Sequence, residues 1–401
     1  MTPHHDNHLK NDSDLKGAAK RSLSIMQRWE SLYLNRFTEV RPNTECYRYL
    51  IHTLSNKARH FDKAGEEVNR ILSTMIIDGL VPDSTCYTYA IQTWCKKARH
   101  NDSDPKERFE YAKEAQVVLK QMDEMYYKSG SVEIRPTTYD YNTVIGALAN
   151  CAFPGAAERA EELLLKMERK YHDGDVVLMP NVQSYISAMV GWKYCPDVKK
   201  QVDGAKRVFE RMKIQYQKGN HACKPTTESY HAIMNVCRTY PHQTASHEIK
   251  KKALTCAIST MNEMRETDSV YLNSKTYNLL LNAIGTLLDD GSHAQNNAIE
   301  SVFIKCREEG LVDSDILRRL RRVASHDVYR RCILEHVRKD NSNFLQVPYS
   351  WSRNIDGERP TIPLSLDKNQ KNQKNFAIKE EKMKTLRSRR YQRLLQGGRA
   401  R

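Results

Sequence analysis

The stretch "RPTTYDYNTVIGAL", residues 135–148, sets a proline, two threonines and a Tyr-Asn pair just ahead of an apolar run. Close variants recur along the chain: "RPNTECYRYLIHTL" (41–54), "VPDSTCYTYAIQTW" (81–94), "MPNVQSYISAMVGW" (179–192), "KPTTESYHAIMNVC" (224–237) and "YLNSKTYNLLLNAI" (271–284). In five of the six a proline stands five residues before a tyrosine: Pro42 and Tyr47, Pro82 and Tyr87, Pro136 and Tyr141, Pro180 and Tyr185, Pro225 and Tyr230. The sixth keeps the register with Leu272 and Tyr277. Apolar residues then fall three, four and seven positions after every tyrosine: Leu50/Ile51/Leu54, Ala90/Ile91/Trp94, Val144/Ile145/Leu148, Ala188/Met189/Trp192, Ile233/Met234/Cys237 and Leu280/Leu281/Ile284. That spacing is one stripe on a helix of 3.6-residue period. The residue after the proline, or after Leu272, is Asn43, Asp83, Thr137, Asn181, Thr226 or Asn273. Each has a short side-chain oxygen that can accept from the free amides of a first helical turn. The proline just outside keeps the preceding helix from running on.

A second phrase follows each copy, an alanine seven residues before a methionine: Ala115 to Met122, Ala160 to Met167, Ala205 to Met212 and Ala257 to Met264. The first repeat substitutes Val68 to Met75, and the sixth reads Ala298 to Lys305. A small residue lets paired helices approach, and methionine fills the gap beyond. Each unit is therefore expected to be a helical hairpin that hides its stripe only by stacking on its neighbours. The tyrosines are spaced by 40, 54, 44, 45 and 47 residues, and the excess length falls in polar stretches such as "RHNDSDPKERFE". Loop closure entropy grows slowly enough with length for such insertions to be tolerated. Ala19 to Met26 repeats the second-helix phrase without a first helix before it. It is either the remnant of a unit in an N-terminally incomplete chain or a divergent capping helix.

Apolar residues make up 39% of the 401, mean hydropathy is -0.71, and no apolar run approaches the ~20 residues of a membrane span. A soluble chain is expected, with any membrane contact peripheral. Residues 1–17 show neither a signal-peptide core nor an Arg-rich, acid-poor amphipathic segment. The ten cysteines form no C-x-x-C pair and read as reduced thiols in helix cores. Net charge is +15, and residues 314–401 hold 22 Lys and Arg against 9 Asp and Glu, so the first 313 are nearly neutral.

A hairpin that opens with a cap, a spacer and Tyr-Asn-Thr-x-Ile, and whose second helix carries Ala-x6-Met, resembles the pentatricopeptide repeat family, in its degenerate members with expanded loops. The copies at 138–148 and 274–284 match best. The resemblance implies an all-α, right-handed α-solenoid of helix-turn-helix repeats. It divides the chain into an N-terminal segment with a partial repeat (1–43), six repeats (44–313), basic capping helices (314–340) and an extended, disordered basic tail (341–401). It further implies a protein that binds single-stranded RNA at about one base per repeat and acts in organellar transcript processing, stability or translation, in a mitochondrion or plastid. The reading residues it assigns are the one after each tyrosine and the last of the unit. Carried over, they pair Arg48 with Asp83, Thr88 with Thr137, Asn142 with Asn181, Ile186 with Thr226, His231 with Asn273, and Asn278 with Asp313. Asn142/Asn181 implies a pyrimidine and Asn278/Asp313 uracil; the other four match no understood combination. Two before the tyrosine, where the family places an aliphatic residue to sandwich a base, stand Glu45, Thr85, Tyr139, Gln183, Glu228 and Lys275.

The same residues have a purely structural reading. Caps at the unit ends stabilise helices by ~1 kcal/mol each whether or not RNA is present, and the tyrosines align with the core stripe. Asn142 and Asn278 resist that reading, because asparagine is a mediocre helix former placed twice in the same exposed turn. In the tail, Ile316, Leu317, Leu320 and Val323 are expected inward, and Phe344, Tyr349 and Trp351 in an extended segment over the last helices. Disorder is expected from 356 on, with Arg387, Arg389, Arg390, Arg393, Arg399 and Arg401 around Tyr391 as a salt-sensitive phosphate arm. No clustered carboxylates, deaminase signature or phosphate-cradling glycine loop is present. No catalysis and no cofactor or metal are expected. Two readings remain open: an RNA-binding repeat protein, and a protein-binding scaffold similar to a tetratricopeptide array, with partners on its concave face.

Overall fold

The computed structural model describes residues 17, 20–28, 31, 42–100, 104–195, 197–238, 246–336, 344–355 and 360–363. The expected basic arm and most of the expected disordered tail lie outside these residues, as does Ala19. The chain divides into two compact units, 1–272 with 282–288, and 273–281 with 289–401.

The first unit is the expected all-α solenoid of hairpins. Its first helices are α1 (Thr44–Lys57), α3 (Ser84–Ala98), α5 (Thr138–Ala149), α7 (Val182–Lys193) and α9 (Thr227–Cys237). Its second helices are α2 (Ala64–Ile77), α4 (Pro105–Ser129), α6 (Ala156–His172), α8 (Val198–Gln217) and α10 (His247–Glu266). Each first helix begins one residue after the proposed cap. Asn43 Oδ1 accepts from the Cys46 amide at 3.0 Å, Asp83 from Cys86 at 2.8 Å and Asn181 from Ser184 at 3.1 Å. Thr137 and Asp140 close a reciprocal capping box. Thr226 and Ser229 form another capping box, the Thr226 amide donating to Ser229 Oγ at 3.0 Å.

All six tyrosines and the eighteen stripe residues behind them are buried. First helices pack on one another in sequence, α1 on α3, α3 on α5, α5 on α7 and α7 on α9, and α2, α4, α6 and α8 each pack against both their own first helix and the next. The Ala-Met phrase supplies that second layer: Val68/Met75, Ala115/Met122, Ala160/Met167, Ala205/Met212 and Ala257/Met264 are all fully buried.

Four of the tyrosine hydroxyls meet an acid on or just past a second helix, buried at Asp123 and Glu168 and half-buried at Asp78 and Glu263. Tyr47 donates to Asp78 at 3.1 Å, Tyr141 to Asp123 at 2.7 Å, Tyr185 to Glu168 at 2.7 Å and Tyr230 to Glu263 at 2.9 Å. The next repeat neutralises two of these carboxylates, with Lys166 at 2.7 Å and Lys170 on Asp123, and Arg211 at 2.6 Å on Glu168. A phenylalanine would fill the same volume and leave the acid without its buried donor, so the tyrosines are packing residues that also tie neighbouring hairpins.

The second unit takes in the first half of α11 (Ser274–Leu287), capped by Asn273 Oδ1 on the Thr276 amide at 3.1 Å. It continues through α12 (His293–Glu308), α13 (Ser314–Val323) and α14 (His326–Tyr329), which runs into a π turn over Arg330–Leu334. In α12 the register departs from the expected phrase: Ile299, Phe303 and Cys306 are fully buried, while Ala298 is half-buried and Lys305 exposed. Ile299 and Cys306 keep the seven-residue spacing one position further on, so the sixth pair belongs to them. On α13, Ile316, Leu317 and Leu320 are buried and Val323 is half-buried. Residues 347–355 return over α12, with Trp351 edge-on to Phe303 at 5.8 Å. They satisfy the carbonyls left open at that helix end: Arg353 donates to Glu308 O at 2.7 Å, and Asn354 to Glu309 O at 2.8 Å and Gly310 O at 3.0 Å. A short antiparallel ladder pairs β1 (Phe344–Gln346) with β2 (Thr361–Pro363). Residues 361–363 therefore have regular structure where disorder was expected; three residues are too few for a period-2 pattern to show in the sequence.

Candidate nucleic-acid interface

The residue after each tyrosine sits on the first-helix flank that meets the next hairpin, and the residue after each proline opens that hairpin's first helix. Packing of successive first helices brings the two positions of a predicted pair together in the first and third repeats. Arg48 Nη1 donates to Asp83 Oδ2 at 3.3 Å and also pairs with Glu45. Glu45 first, and then Asp83, raise the Arg48 pKa and keep it charged. Thr88 reaches the neighbour of its predicted partner: its hydroxyl donates to Asp140 Oδ1 at 2.6 Å, while Asp140 Oδ2 accepts the Thr137 amide at 2.9 Å and hydroxyl at 2.7 Å. Asp140 is buried at 1% exposure, so this contact is a sealed junction between repeats. The family positions gave no sign of it.

Asn142 Nδ2 donates to Asn181 Oδ1 at 3.2 Å. The orientation is fixed, because Asn181 Oδ1 also accepts the Ser184 amide at 3.1 Å and can face only a donor. The Asn142 carbonyl oxygen is thereby turned away from Asn181, and it is buried with no hydrogen-bond partner. Such an atom costs free energy until something donates to it.

In the fourth repeat Ile186 and Thr226 are both half-buried. His231, expected to read a base, is buried at 5% exposure, because α9 is packed by α7, α8 and α10. Asn273 is exposed as the cap of α11. In the second unit Asp313 caps α13 through the Ile316 amide at 2.7 Å, and Asn278 Oδ1 accepts from Arg319 Nε at 3.1 Å. Asn278 and Asp313 are thus engaged separately, and Arg319, one arginine in a basic run that the sequence does not single out, holds the asparagine.

The faces of α1, α3 and α5 opposite the core carry a feature that pairwise recognition does not include. Helical spacing from the residue two before the tyrosine places Glu45, Tyr49, His52 and Asn56 on one face of α1, Thr85, Tyr89, Gln92 and Lys96 on α3, and Tyr139 and Thr143 on α5. Tyr49 is 65% and Tyr139 57% exposed. His52 lies 4.6 Å from Tyr89 between ring centroids, and Gln92 donates to Tyr139 Oη at 3.1 Å.

No helix among the described residues is long and apolar enough to cross a membrane. Among the same residues no group of three or more His, Cys, Asp or Glu side chains is placed to hold a metal ion. All ten cysteines are free thiols, and nine are buried.

The fold and these junctions define a helical-hairpin repeat protein whose successive units meet through paired polar positions. No protein-family model matches the chain, and no curated protein does. Among solved structures, it is similar to the crystal structure of the pentatricopeptide repeat protein PPR10 in complex with an 18-nt psaJ RNA element, at 15% identity and a TM-score of 0.37. A cysteine-to-serine variant of PPR10 with the same RNA element matches equally. In both cases the match covers 79% of this chain and 42% of the other, so the chain spans less than half the length of the proteins it matches.

Proposed function

We propose that the protein binds single-stranded RNA along its layer of first helices, at about one base per repeat. It is a binder and not an enzyme, acting in the processing, stability or translation of transcripts in a mitochondrion or plastid; compartment and role rest on the family resemblance alone. The observation that carries the reading is the Asn142 amide, locked by Asn181 at 3.2 Å with its carbonyl oxygen unpartnered. The oxygen is buried, so a base edge reaches it only by displacing the groups that cover it, and the free energy of the unmet acceptor is recovered in that step. Base choice is assigned to Asn142/Asn181 first, and to Asn278/Asp313 only where RNA displaces Arg319 from the Asn278 oxygen. Arg48/Asp83 is left for backbone contact, while Thr88, closed into the junction with buried Asp140, and buried His231 serve the fold.

Crosslinking the protein in its source cells and sequencing the bound RNA tests this, alongside Asn142→Ala combined with Asn278→Ala. Enrichment of a defined transcript, with a changed site preference in the double variant, is expected. No enriched transcript, or an identical preference in the variant, would sink the proposal.

An apolar edge favours a second reading as a protein-binding scaffold. Ile77 (83% exposed), Val81 (56%), Val132 (74%) and Val176 (68%) recur where one hairpin passes to the next. Ile77→Ser with Val132→Ser would then abolish co-purification of a protein partner that survives nuclease treatment, and leave RNA crosslinking intact.

A further inference from the structure

The exposed face of α1, α3 and α5 combines rings with cations that no carboxylate among the described residues neutralises. Arg59 and Arg99 are exposed, just past the ends of α1 and α3. Lys96 stands between them, its amine donating to Ser55 O at 2.9 Å and Ser55 Oγ at 3.2 Å. Arg99 reaches the Thr143 carbonyl of α5 at 3.4 Å. Among the described residues none of the three forms an ion pair, although most Lys and Arg side chains that bridge neighbouring hairpins engage an acid. Burial first, and then the Arg59 charge, pull the Lys96 amine below its ordinary pKa, as expected for cations held together without a counter-ion.

A structural explanation covers part of this. Cations near helix C-termini complement the helix dipole, which accounts for Lys96 and Arg99. It gives no reason for Tyr49 and Tyr139 to stand more than half exposed on the same face, with Tyr89 between them against His52. The Arg48 guanidinium lies 5.9 Å from the Tyr49 ring centroid, so one side of that ring carries a cation and the rest meets solvent. Glu45 is the acid that this face exposes on the three helices, and Arg48 already pairs with it.

We infer that the first three repeats hold single-stranded nucleic acid without choosing its sequence, its bases stacking on Tyr49, Tyr89 and Tyr139 and its phosphates lying against Arg59, Lys96 and Arg99. The inference rests on the RNA-binding reading and adds a mode that pairwise base recognition does not contain. Every base has a π-face, so ring stacking tolerates all four, and positive charge alongside tracks the backbone. A duplex keeps its bases stacked on one another and cannot use the rings. Repeats one and two match no understood base-reading pair, and they carry two of the three rings and all three cations. Affinity from these repeats would leave sequence choice to the later ones.

The test measures binding of labelled oligo(U), oligo(A) and oligo(dT) and of a duplex by fluorescence anisotropy across a salt series. Variants are Tyr49→Ser, Tyr89→Ser and Tyr139→Ser, singly and together, the three Tyr→Phe counterparts, and Arg59→Gln with Lys96→Gln and Arg99→Gln. Similar affinity for the three single strands and weaker duplex binding are expected. Removing each ring should weaken all three strands together by roughly tenfold, and phenylalanine should restore binding. The triple glutamine variant should flatten the salt dependence by about 0.7 in log-log slope for each phosphate that is no longer neutralised. If single strands bind and the serine variants bind equally well, the inference is overturned while the RNA reading stands on Asn142. Binding of no oligonucleotide by the intact protein would overturn both. Loss of a co-purifying protein in the serine variants, with oligonucleotide affinity unchanged, would make this face a protein-docking surface and overturn the inference.

Discussion

Replacing Asn142 by alanine separates a residue kept for the fold from one kept for a ligand. In the RNA-free protein the change removes the bond to Asn181 at 3.2 Å, at a net cost of about 0.5–1.5 kcal/mol. It also removes a buried carbonyl oxygen that has no partner, whose desolvation costs about 1–3 kcal/mol. Alanine adds up to about 0.7 kcal/mol of helix propensity in the middle of α5. Asn181 keeps its bond to the Ser184 amide at 3.1 Å, so no new orphan is created. The balance predicts a variant between unchanged and about 3 kcal/mol more stable, with RNA binding about tenfold weaker for one missing hydrogen bond to a base. Urea unfolding followed by far-ultraviolet circular dichroism measures the first and anisotropy on the crosslinked RNA site the second. A variant destabilised by more than about 1.5 kcal/mol, the upper end of what the bond to Asn181 alone accounts for, would show that Asn142 serves the fold, and its claim as a reading residue would go with it.

Asp123 tests the ties between hairpins. It is 3% exposed and accepts from Tyr141, Lys166 and Lys170; Asp123→Ala leaves Lys166, 39% exposed, to solvent but strands the Lys170 ammonium and a buried hydroxyl, at about 3 kcal/mol. Tyr141→Phe alone should cost about 1.5–3 kcal/mol, and the double variant should cost less than the two added; additive losses in a urea cycle would contradict the network. The pH dependence is alkaline. Burial pushes the Tyr87 hydroxyl up to about 12, and Tyr141 and Tyr185 are raised further by burial and by Asp123 and Glu168 respectively. Folded-state values above the unfolded ~10 mean that this stability is fully present below pH ~10 and is lost as pH rises through the folded values. Tyrosinate absorbance from these residues should therefore appear together with loss of helical dichroism, and a smooth non-cooperative titration near pH ~10 would refute it. A thiol reagent on the native protein should modify Cys46, the single cysteine that is not buried, and reach the other nine only on unfolding; mass spectrometry finding fast modification of Cys95 or Cys306, pushed up to about 12 and higher by burial, would contradict the packing.

The fold is legible in the sequence because the hairpin phrase is overdetermined. Proline, cap, tyrosine, stripe and Ala-Met each follow from a separate physical demand, and they recur in one register. Where one demand lapses the reading slips, as in α12, where an alanine one residue early draws the alignment to Ala298 and the core takes Ile299 and Cys306. The site is less legible because its residues do double duty. Asp83, Asn181 and Asp313 accept from the first-turn amides of the next helix, so their recurrence would be the same in a protein that never meets RNA. What distinguishes ligand from scaffold lies in how the second member of each pair is satisfied, and that depends on the neighbouring hairpin. Thr88 is consumed by Asp140, Asn278 by Arg319, and His231 by burial. Asn142 alone among these four keeps a buried acceptor without a partner. No spacing rule encodes that outcome; it is fixed by which donor Asn181 must receive. The ring row on α1, α3 and α5 is hidden in the sequence for a related reason. Its members belong to different repeats, and Tyr139 precedes its core tyrosine by two residues where Tyr49 and Tyr89 follow theirs by two, so only the stacking of the helices makes the three neighbours.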